Sequence, residues 1–175
     1  VVFGAIERIE AVGGAIAEGV KKHLSVPVIF GGVFATNCPE TVIANPHVDI
    51  VCLGEGEQPL VELVNSMAKG TIDDTIKNLW FKKNGEVIKN PVRPLQDLDT
   101  LPAFDKSIFE NDIIVRNRYY TLASKGCMFA CSYCSQSFFV QFNNGKDHRR
   151  KSVDLIIEEL RQAKDKYHFR LVDFE

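Results

Sequence analysis

The sequence has no surplus of charge of either sign. Its 21 Lys and Arg are matched by 23 Asp and Glu, giving a formal net charge of −2 and a pI of about 6.1. That balance offers no broad basic surface for nucleic acid or anionic lipid. No apolar run reaches the ~18 residues of a membrane-spanning helix. The opening "VVFGA" carries no signal-peptide pattern, and the closing "FRLVDFE" reads as a strand with nothing behind it, so the 175 residues read as an excerpt. Five cysteines are too few and too clustered for a disulfide scaffold. A reducing cytoplasm is the expected setting, and there a cysteine cluster binds metal or does chemistry. With 45% hydrophobic and 25% charged residues, the composition is that of a globular protein of one domain, or one domain and part of another.

Within that frame, residues 1–70 alternate strand and helix signals. Val1–Phe3, Val26–Phe30 and Asp49–Leu53 are apolar strand runs. Between them, Val12, Ile16, Val20 and Leu24 recur at helical spacing over 10–24, and "NCPE" opens a second helix with Asn37 as the expected cap and Glu40 at the capping-box position. Leu60, Leu63, Val64 and Met67 line a third helix, with Gly70 as its expected C-terminal stop. The pattern predicts a Rossmann-like or flavodoxin-like parallel sheet with helices on both faces. Such sheets bind ligands beyond the carboxyl ends of their strands. Two glycine-bearing turns fall there, "GGVFAT" at 31–36 and "GEGE" at 54–57.

Residues 71–117 differ in character. "NLWFKKNGEVIKN" is a hairpin signature around Asn84-Gly85, and the Pro-punctuated "PVRPLQDLDTLPAFD" reads as a connecting strap. Over 118–175 a strand at Tyr119–Ala123, a helix from a Ser152 cap to about residue 166 and a strand at 170–175 form one β-α-β unit.

Between that first strand and the helix lies "SKGCMFACSYCSQ", with Cys127, Cys131 and Cys134 spaced C-x3-C-x2-C. Thiolates are soft ligands suited to iron–sulfur clusters and zinc. Three of them hold three corners of a 4Fe–4S cube and leave one iron open, as a catalytic metal site requires. Gly126 lets the chain turn into the loop, and Met128, Phe129, Ala130 and Tyr133 are expected to shield it. A structural zinc site with His148 as fourth ligand, a Cys131–Cys134 redox pair and a four-cysteine cluster remain open on spacing alone. Cys52, inside an apolar strand, reads as a core residue, and Cys38 as a free thiol at a helix start.

"KGCMFACSYC" resembles the cluster motif of radical S-adenosylmethionine enzymes, and "VPVIFGGVFATNCPETVIANPHVDIVCLGEGEQPLVELV" resembles the cobalamin-binding domain that precedes one class of them. The resemblance implies a 4Fe–4S cluster on Cys127, Cys131 and Cys134, S-adenosylmethionine on the fourth iron near Tyr133 and Glu175, and Asp173 as a further contact. It also implies cobalamin against Gly31, Gly32, Thr36, Gly54, Glu55, Gly56 and Glu57. The reaction implied is methyl transfer to an unactivated carbon or phosphorus of a small molecule, with radical cyclisation or rearrangement as the alternative. A flavodoxin or ferredoxin would supply electrons. A cobalamin carrier or a zinc-bound interaction module are the non-catalytic alternatives. The D-x-H-x-x-G motif that brings a His to cobalt in some relatives is absent from the sequence, and Phe34 stands where relatives often carry His.

Overall fold

The structure, a computed structural model, describes residues 2–4, 7–109, 117–145 and 147–174. The chain divides into two compact units, Val1–Pro94 and Leu95–Glu175.

In the first unit, β1 (Val2–Gly4), β2 (Ile29–Gly31) and β3 (Ile50–Cys52) run parallel, with Phe30 opposite both Phe3 and Val51. Parallel neighbours need a crossover. These are supplied by α1 (Glu7–His23) and by the short helices α2 (Val33–Asn37) and α3 (Pro39–Ala44). After α4 (Glu57–Ala68) the chain returns antiparallel as β4 (Leu79–Lys83) and β5 (Glu86–Lys89), completing the order β1-β2-β3-β4-β5. The hairpin turn is Asn84-Gly85, with φ of 52° and 82°. Positive φ at both positions is what a type I′ turn demands.

The strands read as unbroken apolar runs because both faces are covered. On one face Ile29, Ile50, Cys52, Leu63, Ile76, Leu79 and Phe81 form a buried cluster, with Leu60 and Ile88 against it. On the other lies Phe30, whose ring is 3.1 Å from where a Cβ on Gly13 of α1 would stand. Small residues therefore bring α1 onto the sheet. Ala17 is fully buried, while Val12, Ile16 and Leu24 of the expected apolar stripe are exposed.

The second helix also departs from expectation. Residues 33–37 already form α2, so Asn37 is its last residue, and Cys38 with Pro39 behind it opens α3 without a side-chain cap bond. Gly70 stops α4 as expected, at φ 79°, its N–H donating to Met67 O at 2.9 Å.

In the second unit β6 (Arg118–Thr121) and β9 (Leu171–Phe174) pair in parallel around α6 (Val153–Tyr167), with Tyr119 opposite Val172. This is the β-α-β unit read from the sequence. Ser152 caps α6 by accepting the Leu155 N–H at 3.3 Å. An antiparallel pair, β7 (Ser124–Lys125) and β8 (Arg149–Arg150), brackets the cysteine loop and the helix α5 (Gln136–Phe142) that follows it. Beneath β6, Tyr119 stacks on Tyr167 and Phe169. Of the strap residues, Leu98 is buried and Phe104 exposed.

Candidate functional site

The carboxyl ends of β2 and β3 bring the two glycine turns together. Gly32 has φ 90° and ψ −166°, a conformation open to glycine and little else. Thr36, 2% exposed, sits one helical turn on. Its hydroxyl donates to Gly32 O at 2.8 Å and accepts the Gly54 N–H at 3.0 Å. That one side chain locks the first turn to the second. Glu57 begins α4, where a carboxylate opposes the positive end of the helix dipole.

At Gly31 and Gly56 the packing does not itself require glycine. A Cβ on Gly31 would lie 3.5 Å from the Cys52 Cβ, and one on Gly56 would lie 3.6 Å from Leu60 Cδ1. Both are ordinary contacts. Glycine leaves the backbone bare at these points, a cradle in the sense that bare peptide is what a large flat ligand or its tail can approach closely. Behind the cradle, burial and then the Glu57 charge push the Cys52 thiol up to about 11, so it remains a protonated core residue.

Asn78 gave no functional signal in the sequence. It is buried with φ 71° and holds the 53–55 turn from behind, donating to Leu53 O at 2.7 Å. The signal available was an Asn directly before a strand, since Asn tolerates positive φ better than other non-glycine residues.

The cysteine loop leaves β7 at Gly126, φ 82°. A Cβ there would collide with the backbone carbonyl and carboxylate of Asp147. The buried Asp147 carboxylate also accepts from Gln136 Nε2, just past the last cysteine, and from Asn143 Nδ2 at 2.8 Å. It thus holds the segment that follows the loop, while its backbone packs closely against the loop's start at Gly126. Nothing in the sequence around Asp147 marks it for this. Cys127 and Cys131 are half-buried and Cys134 is exposed. The Phe129 N–H points at Cys127 Sγ (3.5 Å), and Cys131 O accepts from the Ser137 hydroxyl at 2.6 Å and the Cys134 N–H at 3.1 Å.

Among the described residues no three His, Cys, Asp or Glu side chains are gathered closely enough to hold a metal ion, His148 included. The expected apolar shield is not formed either. Met128 and Phe129 are exposed and Tyr133 is 90% exposed. The donor set, three thiols within eight residues on an accessible loop, is still the one soft metal clusters take. Glu175 lies outside the described residues. Asp173 pairs with Arg118 at 3.1 Å across β6 and β9.

One charged group on the apolar face of α6 escaped the sequence reading. Glu159 accepts from Tyr119 OH (3.1 Å), Thr121 Oγ1 (2.7 Å) and Lys151 Nζ (2.7 Å). It falls three residues after Ile156 and four before Ala163, on the stripe that faces β6, and that position was the available signal.

No family model matches the chain. It is similar to an uncharacterized methyltransferase of Pyrococcus horikoshii, 34% identical over an alignment of 169 positions that covers 91% of this chain and 34% of the relative. Among solved structures, the cobalamin-dependent S-adenosylmethionine radical enzyme OxsB, with aqua-cobalamin and S-adenosylmethionine bound, superposes with a TM-score of 0.73 over 99% of this chain and 25% of that one, at 18% identity. The fold is that of the cobalamin-dependent radical S-adenosylmethionine enzymes. The radical S-adenosylmethionine methyltransferase TsrM of Kitasatospora setae, with cobalamin and a 4Fe–4S cluster bound, shares this radical S-adenosylmethionine fold with a TM-score of 0.64 over 95% of this chain and 34% of that one, at 15% identity. The chain spans about a third of the length of this curated relative and a quarter to a third of these structures. Among the described residues no helix is long and apolar enough to cross a membrane.

Proposed function

We propose that this chain carries the cobalamin cradle and the cluster loop of a radical S-adenosylmethionine enzyme. Its reaction is methyl transfer to an unactivated carbon or phosphorus of a small molecule. The observation that carries the reading is the pairing, on one chain, of a C-x3-C-x2-C loop directly after the first strand of a β-α-β unit with a glycine cradle at the ends of parallel strands. When bound, the cluster supplies an electron to S-adenosylmethionine and cobalamin supplies a transferable methyl group.

The chain's own residues do the rest. Cys127, Cys131 and Cys134 would hold the cluster through their sulfurs, with the Phe129 N–H directed at the Cys127 sulfur. The Asp147 carboxylate holds Gln136 and Asn143, just behind the loop's last cysteine. Tyr133 and Glu175 line S-adenosylmethionine. Gly31, Gly32, Gly54 and Gly56 give cobalamin bare backbone, Glu55 and Glu57 flank it, and Thr36 holds the two turns in register. Electrons come from a flavodoxin or ferredoxin in a reducing cytoplasm.

The test is anaerobic iron–sulfide reconstitution of the full-length protein, followed by assay of dithionite-dependent 5′-deoxyadenosine and of bound cobalamin by its absorbance. About four irons per chain and 5′-deoxyadenosine formation are expected, both lost on substitution of any of the three cysteines. Gly31→Ala should fold as the wild type does and lose cobalamin. Zinc without sulfide, or an intact cluster that never cleaves S-adenosylmethionine, overturns the reading. A cyclised product in place of a methylated one overturns only the methyl-transfer part.

A further inference from the structure

The turn that follows β3 is shaped by one buried side chain to an unusual degree. Asn78 is only 2% exposed and sits at φ 71°, so both burial of an amide and a left-handed backbone are tolerated there. Its Nδ2 donates to Leu53 O at 2.7 Å and to Glu55 O at 3.4 Å. Its own carbonyl accepts the Leu53 N–H at 2.9 Å. With the Gly54 N–H held by Thr36 at 3.0 Å, successive backbone groups from Leu53 to Glu55 are fixed from two sides. The remaining groups of Asn78 tie it to the far end of the hairpin. Oδ1 accepts the Arg93 N–H at 2.9 Å, and its N–H donates to Pro91 O at 3.0 Å. Arg93 in turn forks onto Glu62 at 2.9 and 3.1 Å and reaches Gln58 at 2.9 Å. Both belong to α4, the helix that the 54–57 turn starts. The chain thus encloses the turn in a ring of hydrogen bonds with Asn78 as its hub. An apolar residue in place of this amide would leave the Leu53 carbonyl and the Arg93 N–H without these bonds. Here its bonds end on a turn that carries the bare backbone of the cradle.

We propose that Asn78 is a positioning residue for the cobalamin site. It fixes the carbonyls of Leu53 and Glu55, so that the Gly54–Glu57 backbone is pre-formed before the ligand arrives. Pre-formation raises affinity by sparing the ligand the cost of ordering the turn. The inference rests on the cobalamin reading given above.

The test uses the full-length protein. Asn78→Gly keeps the left-handed backbone and removes only the carboxamide. Asn78→Asp keeps the acceptor for Arg93 and sets a carboxylate against two carbonyl oxygens. Val42→Ala, in α3 and fully buried, is the control that loses stability without touching the turn. Aquocobalamin is titrated by absorbance, and unfolding is followed by far-ultraviolet dichroism. Asn78→Gly and Asn78→Asp should bind aquocobalamin at least about tenfold more weakly, while Val42→Ala binds as the wild type does. Wild-type affinity in either Asn78 variant overturns the inference, as does failure of both to fold, which makes Asn78 a residue of the fold alone. If the wild type itself does not bind aquocobalamin, the cobalamin reading falls and takes this inference with it. That result differs from a binding wild type with binding variants.

Discussion

Thr36 and Cys52 stand within a few residues of the same turn and show how differently two buried side chains can behave. The Thr36 hydroxyl is used as both donor and acceptor. Replacing it with the near-isosteric Val would take the hydroxyl from the Gly54 N–H, while Gly32 O keeps the residue 36 N–H, and should destabilise the first unit by about 1–3 kcal/mol. Denaturant unfolding followed at Trp80 measures this, and an unchanged midpoint would refute it. Cys52 makes a pH-dependent contribution of known sign. Burial raises its folded-state pKa from an ordinary value near 9.0 to about 11. The native state therefore holds the proton more tightly, so the contribution is whole below pH 9 and fades as pH rises towards 11. The stability gap between wild type and Cys52→Ala should narrow over that window, and a constant gap would argue against the assignment. Cys52 was legible as core because its neighbours are apolar. Thr36 stood out in the sequence from its motif, but its role as a tie between turns depends on a partner 18 residues away. Asn78 was not legible, because neither its burial nor its positive φ leaves a periodic trace.

At the scale of elements, α6 and β6 are joined by a charged network inside an apolar interface. Burial alone would push the Glu159 pKa up, but hydrogen bonds from Lys151, Thr121 and Tyr119 and the Lys151 charge outweigh it and hold the carboxyl below its ordinary value. Its contribution is therefore present above the ordinary carboxylate range and lost as pH falls through the depressed value. Lys151→Met would strand the Glu159 carboxylate, and should cost about 3–5 kcal/mol of the second unit's stability by tyrosine near-ultraviolet dichroism. Substituting Lys151 and Glu159 together by apolar residues should recover much of that loss. Strands and long helices were visible in the sequence because their periods repeat. α2 was not, since five residues after a Gly-Gly turn give no full period, and its presence moves Asn37 from the start of one helix to the end of another. The three thiols were plain from spacing. The exposure of Met128, Phe129 and Tyr133 was not, because an aromatic reads the same in a loop that folds under as in one that projects.

For the whole molecule, the division into two compact units bears on how it unfolds. Trp80 belongs to the first unit and the stacked Tyr119, Tyr167 and Phe169 to the second. Each unit therefore carries its own optical probe. Tryptophan fluorescence and tyrosine dichroism should give separate denaturation midpoints, and superimposed curves would show a single cooperative transition instead. The composition change near residue 71 was visible in the sequence. What it could not show is that the hairpin beyond it completes the first sheet, since strand pairing is a choice among partners and not a property of the strand itself. That choice has a consequence for how the protein keeps apart from copies of itself. The outermost strand, β5, is four residues long, carries Glu86 and Lys89 at its ends, and runs into Asn90-Pro91. Short length, charge and a nearby proline are how an open edge is kept from templating another strand. The hairpin thus gives the sheet a border that resists aggregation in crowded solution.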